Sequence, residues 1–254
     1  MEKIQLMSHL VAGYPTDELA FTAASAMVAG GADILEVQLP FSDPSADGPA
    51  IQGACTEVLS RRYRTADGLA FIARLHKAFP GTKIYLMSYG SLIYTPGVEA
   101  FCKKAAEAGV NGMIIPDLPF DHDEGLNAAC TANGMENIPV AAPSMAAGRL
   151  DTLARAGFAH IYAALRTGIT GSSTTIDETT VAFLKKVSAG GSKVYGGFGI
   201  QDGSQAKALA SSVEAIVAGS VFVRLIEANR GDKDRLYEAV RAKAAELTGL
   251  QQGQ

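Results

Sequence analysis

Eight short apolar runs recur along the 254-residue chain, at residues 4–11, 34–39, 83–89, 112–116, 138–142, 160–165, 193–197 and 215–218. Segments of helical spacing separate them, among them ELAFTAASAMVAGG, VEAFCKKAAEAG, GRLDTLARAG and TVAFLKKVSAGG, several ending in the Gly that favours a left-handed helix stop. The phrases AGGAD, AEAGVNG and ARAGFAH each close a helix and open a strand, the punctuation of repeated βα units. Eight such units in about 250 residues is the size of a (β/α)8 TIM barrel, so the expected fold class is α/β with one barrel domain over residues 1–254. The rival, a doubly wound open sheet, would usually carry a Gly-rich fingerprint after its first strand, and no GxGxxG follows the first run. No composition shift or low-complexity linker marks a second domain, and only the tail QQGQ reads as disordered.

Bulk properties narrow the functional classes. A formal net charge of -4 without a long basic run argues against a nucleic-acid surface, which needs clustered Lys and Arg to neutralise phosphates. The three cysteines, Cys55, Cys102 and Cys130, have neither CxxC nor metal spacing, so free thiols in a reducing cytoplasm are expected rather than disulfides or a zinc site. No charged leader with an apolar core opens the sequence, and no apolar stretch reaches about 18 residues, so neither secretion nor membrane spanning is expected.

The second run empties into an unusual loop. In ILEVQL, Ile34, Glu36 and Gln38 share one face of a strand and Leu35, Val37 and Leu39 the other. The apolar set should meet the helical shell, which turns Glu36 and Gln38 into the barrel, with Gln38 nearer the carboxyl-terminal mouth where this fold builds its sites. An unpaired buried carboxylate is costly, so Glu36 must raise its pKa or find donors. A carboxyl held near neutrality suits proton transfer in both directions; a structural carboxylate paired to a basic or hydroxyl neighbour also fits the position. The following loop, PFSDPSADGP, is stiffened by Pro40, Pro44 and Pro49, and Ser42-Asp43 and Asp47-Gly48 can both form turns. That rigidity could hold Asp47 over the same mouth, although a turn-forming role explains an Asp-Gly pair equally well.

A second constellation lies late in the chain. RTGITG at 166–171, GGFGI at 196–200 and AGS at 218–220 follow the sixth, seventh and eighth runs. Glycines at these strand ends let backbone N–H groups approach an anion, and a helix beginning near Ser220 adds its positive end. The frequent phosphate site of this fold follows strands seven and eight, so the fold itself selects the place. Tight βα turns need Gly as well, and only the three together point to a phosphate cup.

The run ADILEVQLPFSDPSADGPAIQ, followed in order by LMSYGSLIYTPGVEAF, AGVNGMIIPDLP, RTGITG, GGFGI and AGS, resembles the tryptophan synthase alpha chain family over nearly the whole sequence. The resemblance implies a TIM barrel that cleaves indole-3-glycerol phosphate to indole and glyceraldehyde 3-phosphate by a retro-aldol reaction. It implies no cofactor in this chain and a pyridoxal-phosphate beta chain as partner, in an alpha2beta2 heterotetramer that channels indole. Glu36 matches the family's catalytic glutamate, which protonates the indole carbon bearing the glycerol chain and relays the hydroxyl proton. Asp47 matches the catalytic aspartate, which hydrogen-bonds the indole N–H. Tyr89, Tyr162, Thr170 and Phe198 match substrate-pocket residues, Thr170 closing over Asp47, and Gly171, Gly199, Gly219 and Ser220 match the phosphate cup. Core packing with a single hydrogen-bond partner accounts for the two tyrosines equally well.

The chain departs from the family pattern in several places. It opens almost directly on its first strand, so the helix that caps the family's barrel bottom is expected to be lacking. His9 stands where an aromatic residue such as Phe is common, and Gln38 replaces a glycine near Glu36; Pro116 and Met145 also flank familiar motifs. A structural strand histidine fits His9 as well as a pocket role, and Gln38 is placed to hydrogen-bond Glu36. A free-standing lyase and a catalytically weak barrel that acts chiefly as an allosteric partner are the alternative functions. Another phosphate-sugar aldolase or isomerase would want a Schiff-base Lys or a metal cluster inside the barrel, and the apolar runs offer neither.

Overall fold

The computed structural model describes residues 3–165, 176–197 and 199–250. The first half alternates β1 (Leu6–Val11), α1 (Asp17–Ala29), β2 (Ile34–Gln38), α2 (Pro49–Ser60), α3 (Thr65–Ala78), β3 (Lys83–Met87), α4 (Gly90–Tyr94), α5 (Val98–Glu107), β4 (Gly112–Ile114) and α6 (Leu126–Ala132). The second half continues with β5 (Glu136–Asn137), β6 (Val140–Ala141), α7 (Ala147–Ala154), β7 (His160–Ala164), α8 (Glu178–Val187), β8 (Lys193–Gly197), α9 (Gly203–Leu209), β9 (Ala215–Ala218), α10 (Ser220–Asn229) and α11 (Lys233–Thr248). All strand pairs are parallel, in the order β5-β4-β3-β2-β1-β9-β8-β7-β6.

The two ends of that order are one strand. Pro139 has no N–H to give to a ladder, and it splits the fifth barrel strand into β5 and β6. Ile138 N donates to Met113 O (2.9 Å) on one side and Tyr162 N donates to Pro139 O (2.9 Å) on the other, so residues 136–141 join β4 to β7 and close the (β/α)8 barrel. The pairing of this strand starts two residues earlier than the apolar run at 138–142 indicates, because Glu136 faces half-buried surroundings that hydropathy does not read as strand.

Alternation sorts the side chains as a closed parallel sheet requires. Leu35, Val37 and Leu39 join Leu6, Leu10, Ile84, Leu86 and Ile161 in the core between sheet and helices. A second apolar cluster fills the barrel, with Met7, Ile34, Tyr85, Ile138, Tyr195 and Ala215 among its members. In this cluster Tyr85 and Tyr195 meet hydroxyl to hydroxyl (3.0 Å), and His160 stacks on Tyr195 at 4.6 Å while pairing with Glu136 (2.5 Å). These inward-facing groups satisfy one another and make the barrel a packed core.

At the amino-terminal end of the strands, the last turn of α11 ties the chain down. Ile4 N donates to Thr248 O (3.0 Å), and Thr248 Oγ1 donates to Gly30 O (3.2 Å) at the end of α1. The buried side of α1 is mostly small, with Ala20, Ala23, Ala24 and Ala26, which permits close approach of α11. The tightest point is Gly30, where a Cβ would stand 2.5 Å from both Ala244 Cβ and Arg241 O. Gly30→Ala must therefore push the two helices apart and is expected to destabilise the protein by about 1–3 kcal/mol, as overpacking commonly does. Chemical denaturation reads this directly, and an unchanged midpoint would refute so close a packing.

Candidate active site

The carboxyl ends of the strands surround a cavity of about 570 Å³, its open mouth included. Its walls include Ile51, Met87, Ile114, Pro116, Val140 and Val217, all apolar, and its polar groups are His9, Glu36, Asp47, Tyr162 and Ser220. Glu36, His9 and Asp47 are each only 4% exposed, so every charge here is largely removed from water.

Glu36 is the central inward residue of β2. Parallel register sets it beside His9 of β1, and His9 Nδ1 lies 3.0 Å from Glu36 Oε2. Burial opposes charge on His9, but the bond and charge of Glu36, with the charge of Asp47, outweigh it and raise its pKa above the usual 6.5. Gln38, two residues on, faces the same interior but does not turn back to Glu36. Its Nε2 donates to Asp47 Oδ2 at 2.8 Å. The sequence placed Gln38 near the right face and named the wrong carboxylate, because loop residues 40–47 fold back over the strand end.

Asp47 ends that rigid loop. Asp47 N donates to Pro44 O (3.0 Å), Gln52 Nε2 donates to Asp47 O (2.8 Å), and Gly48-Pro49 then opens α2, where proline's missing N–H costs nothing. Tyr89 OH donates to Asp47 Oδ2 at 2.7 Å and accepts from Ala46 N at 3.2 Å, while Phe41 stacks on the Tyr89 ring at 5.1 Å. Tyr89 thus stands behind Asp47 as its support, outside the cavity lining. Both bonds to the carboxylate end on Oδ2. Burial raises the Asp47 pKa above 3.8, against the opposing pull of His9, Tyr89 and Gln38.

Tyr162 of β7 lines the cavity, its hydroxyl held above its ordinary pKa first by burial and then by the Glu36 and Asp47 carboxylates. It lies against β8, where a Cβ on Gly197 would fall 2.4 Å from the Tyr162 hydroxyl oxygen. Gly199, Gly219 and Ser220 gather at the same cavity, Gly199 with a positive φ of 89° and Ser220 opening the ten-residue α10. Thr170, Gly171 and Phe198 lie outside the described residues. The apolar walls Met87, Ile114, Val140 and Val217 were not singled out from sequence, yet strand alternation near each carboxyl end would have found them. Among the described residues no His, Cys, Asp or Glu cluster could hold a metal ion, and no helix is long and apolar enough to cross a membrane. Cys55, Cys102 and Cys130 are buried free cysteines, and burial pushes the Cys55 thiol up to about 12.

A closed parallel barrel with two buried carboxylates facing one apolar cavity at its carboxyl-terminal mouth belongs with the TIM-barrel proteins that build their sites at that end. Comparison with known proteins narrows the class. A family model described as the tryptophan synthase alpha chain matches residues 1–251. The tryptophan synthase alpha chain of Helicobacter hepaticus is 37% identical over 230 residues, covering 88% of this chain and 86% of that protein. That of Cupriavidus metallidurans is 34% identical over 247 residues, covering 97% and 92%. Among solved structures, Mycobacterium tuberculosis tryptophan synthase superposes with a TM-score of 0.84 at 30% identity, over 97% of this chain and 93% of that one. The chain belongs to the tryptophan synthase alpha chain family, and is a lyase-type enzyme in general terms.

The raised pKa of Asp47 carries a stability cost with a definite sign. Above pH 3.8 the unfolded chain releases a proton that the folded chain retains, so stability falls as pH rises through the window up to the folded value. Asp47→Asn, whose amide oxygen can still accept from Tyr89 and Gln38, should therefore be more stable than wild type at neutral pH. The difference should shrink toward zero as pH approaches 3.8. Thermal melts of the pair across pH test this; a variant that is less stable by a constant margin would contradict it.

Proposed function

We propose that this chain performs the retro-aldol cleavage of indole-3-glycerol phosphate to indole and glyceraldehyde 3-phosphate. The observation that supports it most is the pair of buried carboxylates, Glu36 and Asp47, held separately by His9 and by Tyr89 with Gln38 while facing one cavity. The bond to break joins the indole ring carbon to the carbon bearing the first glycerol hydroxyl. Glu36 gives a proton to that ring carbon, and the ring becomes a cationic indolenine. Asp47, hydrogen-bonded to the ring N–H, stabilises the positive charge. As the hydroxyl proton returns to the Glu36 carboxylate, the C–O bond becomes a carbonyl and the C–C electrons flow back into the ring. The acid is regenerated, neutral indole is released, and the aldehyde fragment keeps its phosphate. Proton transfers alone complete this cycle, so it calls for no cofactor in this chain.

Gly199, Gly219 and Ser220, with Gly171, would hold the phosphate at backbone N–H groups and the α10 amino terminus. Met87, Ile114, Val140 and Val217 would sandwich the indole ring, with Tyr162 at its edge and Phe198 completing the wall. Thr170 would close over Asp47 once substrate is bound. The outer residues of the PFSDP loop, Ser42 and Asp43, are exposed on the loop that leads to Asp47. That supports a mouth-facing contact with a pyridoxal-phosphate beta chain in an alpha2beta2 heterotetramer in the cytoplasm.

Supplying indole-3-glycerol phosphate and measuring released indole tests the reading. Glu36→Gln and Asp47→Asn should each lose on the order of 10²- to 10⁴-fold in turnover, the usual worth of one acid–base group. Turnover that survives both substitutions would refute these roles. Adding a beta chain should raise the cleavage rate; no gain would favour a free-standing lyase.

A further inference from the structure

His9 is an inward residue of β1 on the cavity wall, and its surroundings are built rather than incidental. Its ring is 4% exposed, and Nδ1 is committed to Glu36 Oε2 at 3.0 Å. That bond fixes the ring rotation, because a flip would exchange nitrogen for carbon at the carboxylate. The other nitrogen, Nε2, is fully buried and has no hydrogen-bond partner among the described residues. A buried ring nitrogen left unpaired is destabilising, and structures retain such atoms chiefly where something else satisfies them.

The Cβ side of the ring packs against Gly219. A Cβ on Gly219 would stand 3.4 Å from His9 Cβ, 3.5 Å from Cγ and 3.7 Å from Cδ2, the carbon bonded to Nε2. The ring therefore lies between Glu36 and Gly219, the N-cap of α10, and His9 lines the shared cavity. The charged and titratable groups around it are Glu36, Asp47 and Tyr162. His160, the other inward histidine, is the structural contrast: it stacks flat on Tyr195 and pairs with Glu136 within the tyrosine layer.

We propose that His9 contacts the substrate through Nε2, hydrogen-bonding a hydroxyl of the carbon chain that links the reacting carbon to the phosphate. The inference rests on the cleavage reading for the identity of the substrate, but its recognition chemistry is separate: a phosphorylated polyol chain. A hydroxyl suits this nitrogen in either protonation state, since it can donate to a neutral imidazole or accept from a charged one. Phosphate oxygens without a proton can only accept, so they pair with this nitrogen in its protonated state alone. His9 is thereby a specificity residue for a hydroxylated chain, and also positions Glu36 through Nδ1.

Two substitutions separate the nitrogens. Asn reaches only to the place of Nδ1, whereas Gln carries a polar atom to the neighbourhood of Nε2. Calorimetric titration with glycerol 3-phosphate and, separately, inorganic phosphate compares a chain-bearing ligand with a bare anion. His9→Asn should weaken glycerol 3-phosphate about tenfold, the worth of one good hydrogen bond, and leave inorganic phosphate unchanged. His9→Gln should stay close to wild type. If the Asn variant does not fold, His9→Phe keeps the ring packing without either nitrogen and should show the same tenfold selective loss. Equal weakening of both ligands, no weakening of either, or a Gln variant as impaired as Asn would overturn the proposal. Absence of indole release in the wild type would overturn the cleavage reading and leave this ligand comparison intact.

Discussion

Two carboxylates held out of water in one apolar cavity are the demand that the rest of this structure answers. Desolvation opposes charge in such a place, and for Asp47 it outweighs the opposing pull of His9, Tyr89 and Gln38. The protein separates their environments. Glu36 faces a histidine whose charge is favoured by the same two acids that surround it, and Asp47 receives two donated hydrogen bonds on a single oxygen. One acid is thereby coupled to a group that can itself carry a proton, while the other is held by donors that cannot leave. Paired acids with different partners are how one site assigns different roles to identical functional groups.

The supporting cast is arranged by depth in the barrel. Toward the amino ends of the strands, tyrosines, a histidine and a glutamate satisfy one another and form a packed layer. Toward the carboxyl ends, the polar inward positions include His9, Glu36 and Gln38, and the buried atoms without a partner among the described residues are His9 Nε2, Gln38 Oε1 and Ser88 Oγ. Among the described residues, incomplete satisfaction thus falls on β1 and β2 and on the residue just after β3. Rigid connections hold that end in place: the proline-rich loop carries Asp47 straight into the first turn of α2, and Tyr89 fastens the loop to the strand-three side. Stability is given up at the mouth and recovered in the layers beneath it, a common division where activity needs strained or desolvated groups.

The two acids are held through neighbouring strands. His9 and Gln38 sit on adjacent strands, and each is bonded to a different member of the acid pair. These two hydrogen bonds hold the acids from neighbouring strands while leaving their other oxygens to the cavity side.

Much of this was readable from the chain itself. The count of βα units, the inward face of ILEVQL, the acid at position 36 and the glycine turns after the last strands all follow from local periodicity and turn chemistry. A side chain's face on a strand depends only on its own backbone, so sequence determines it. Which atoms then meet was decided by the tertiary structure. His9 finds Glu36 across a separation of 27 residues because parallel register aligns them, and Gln38 finds Asp47 because a folded-back loop brings that acid closer than Glu36. Likewise, Pro139 splits a strand and Tyr89 ends up bonded to Asp47. Register, closure and loop packing are properties of the whole sheet, and no local window of sequence contains them.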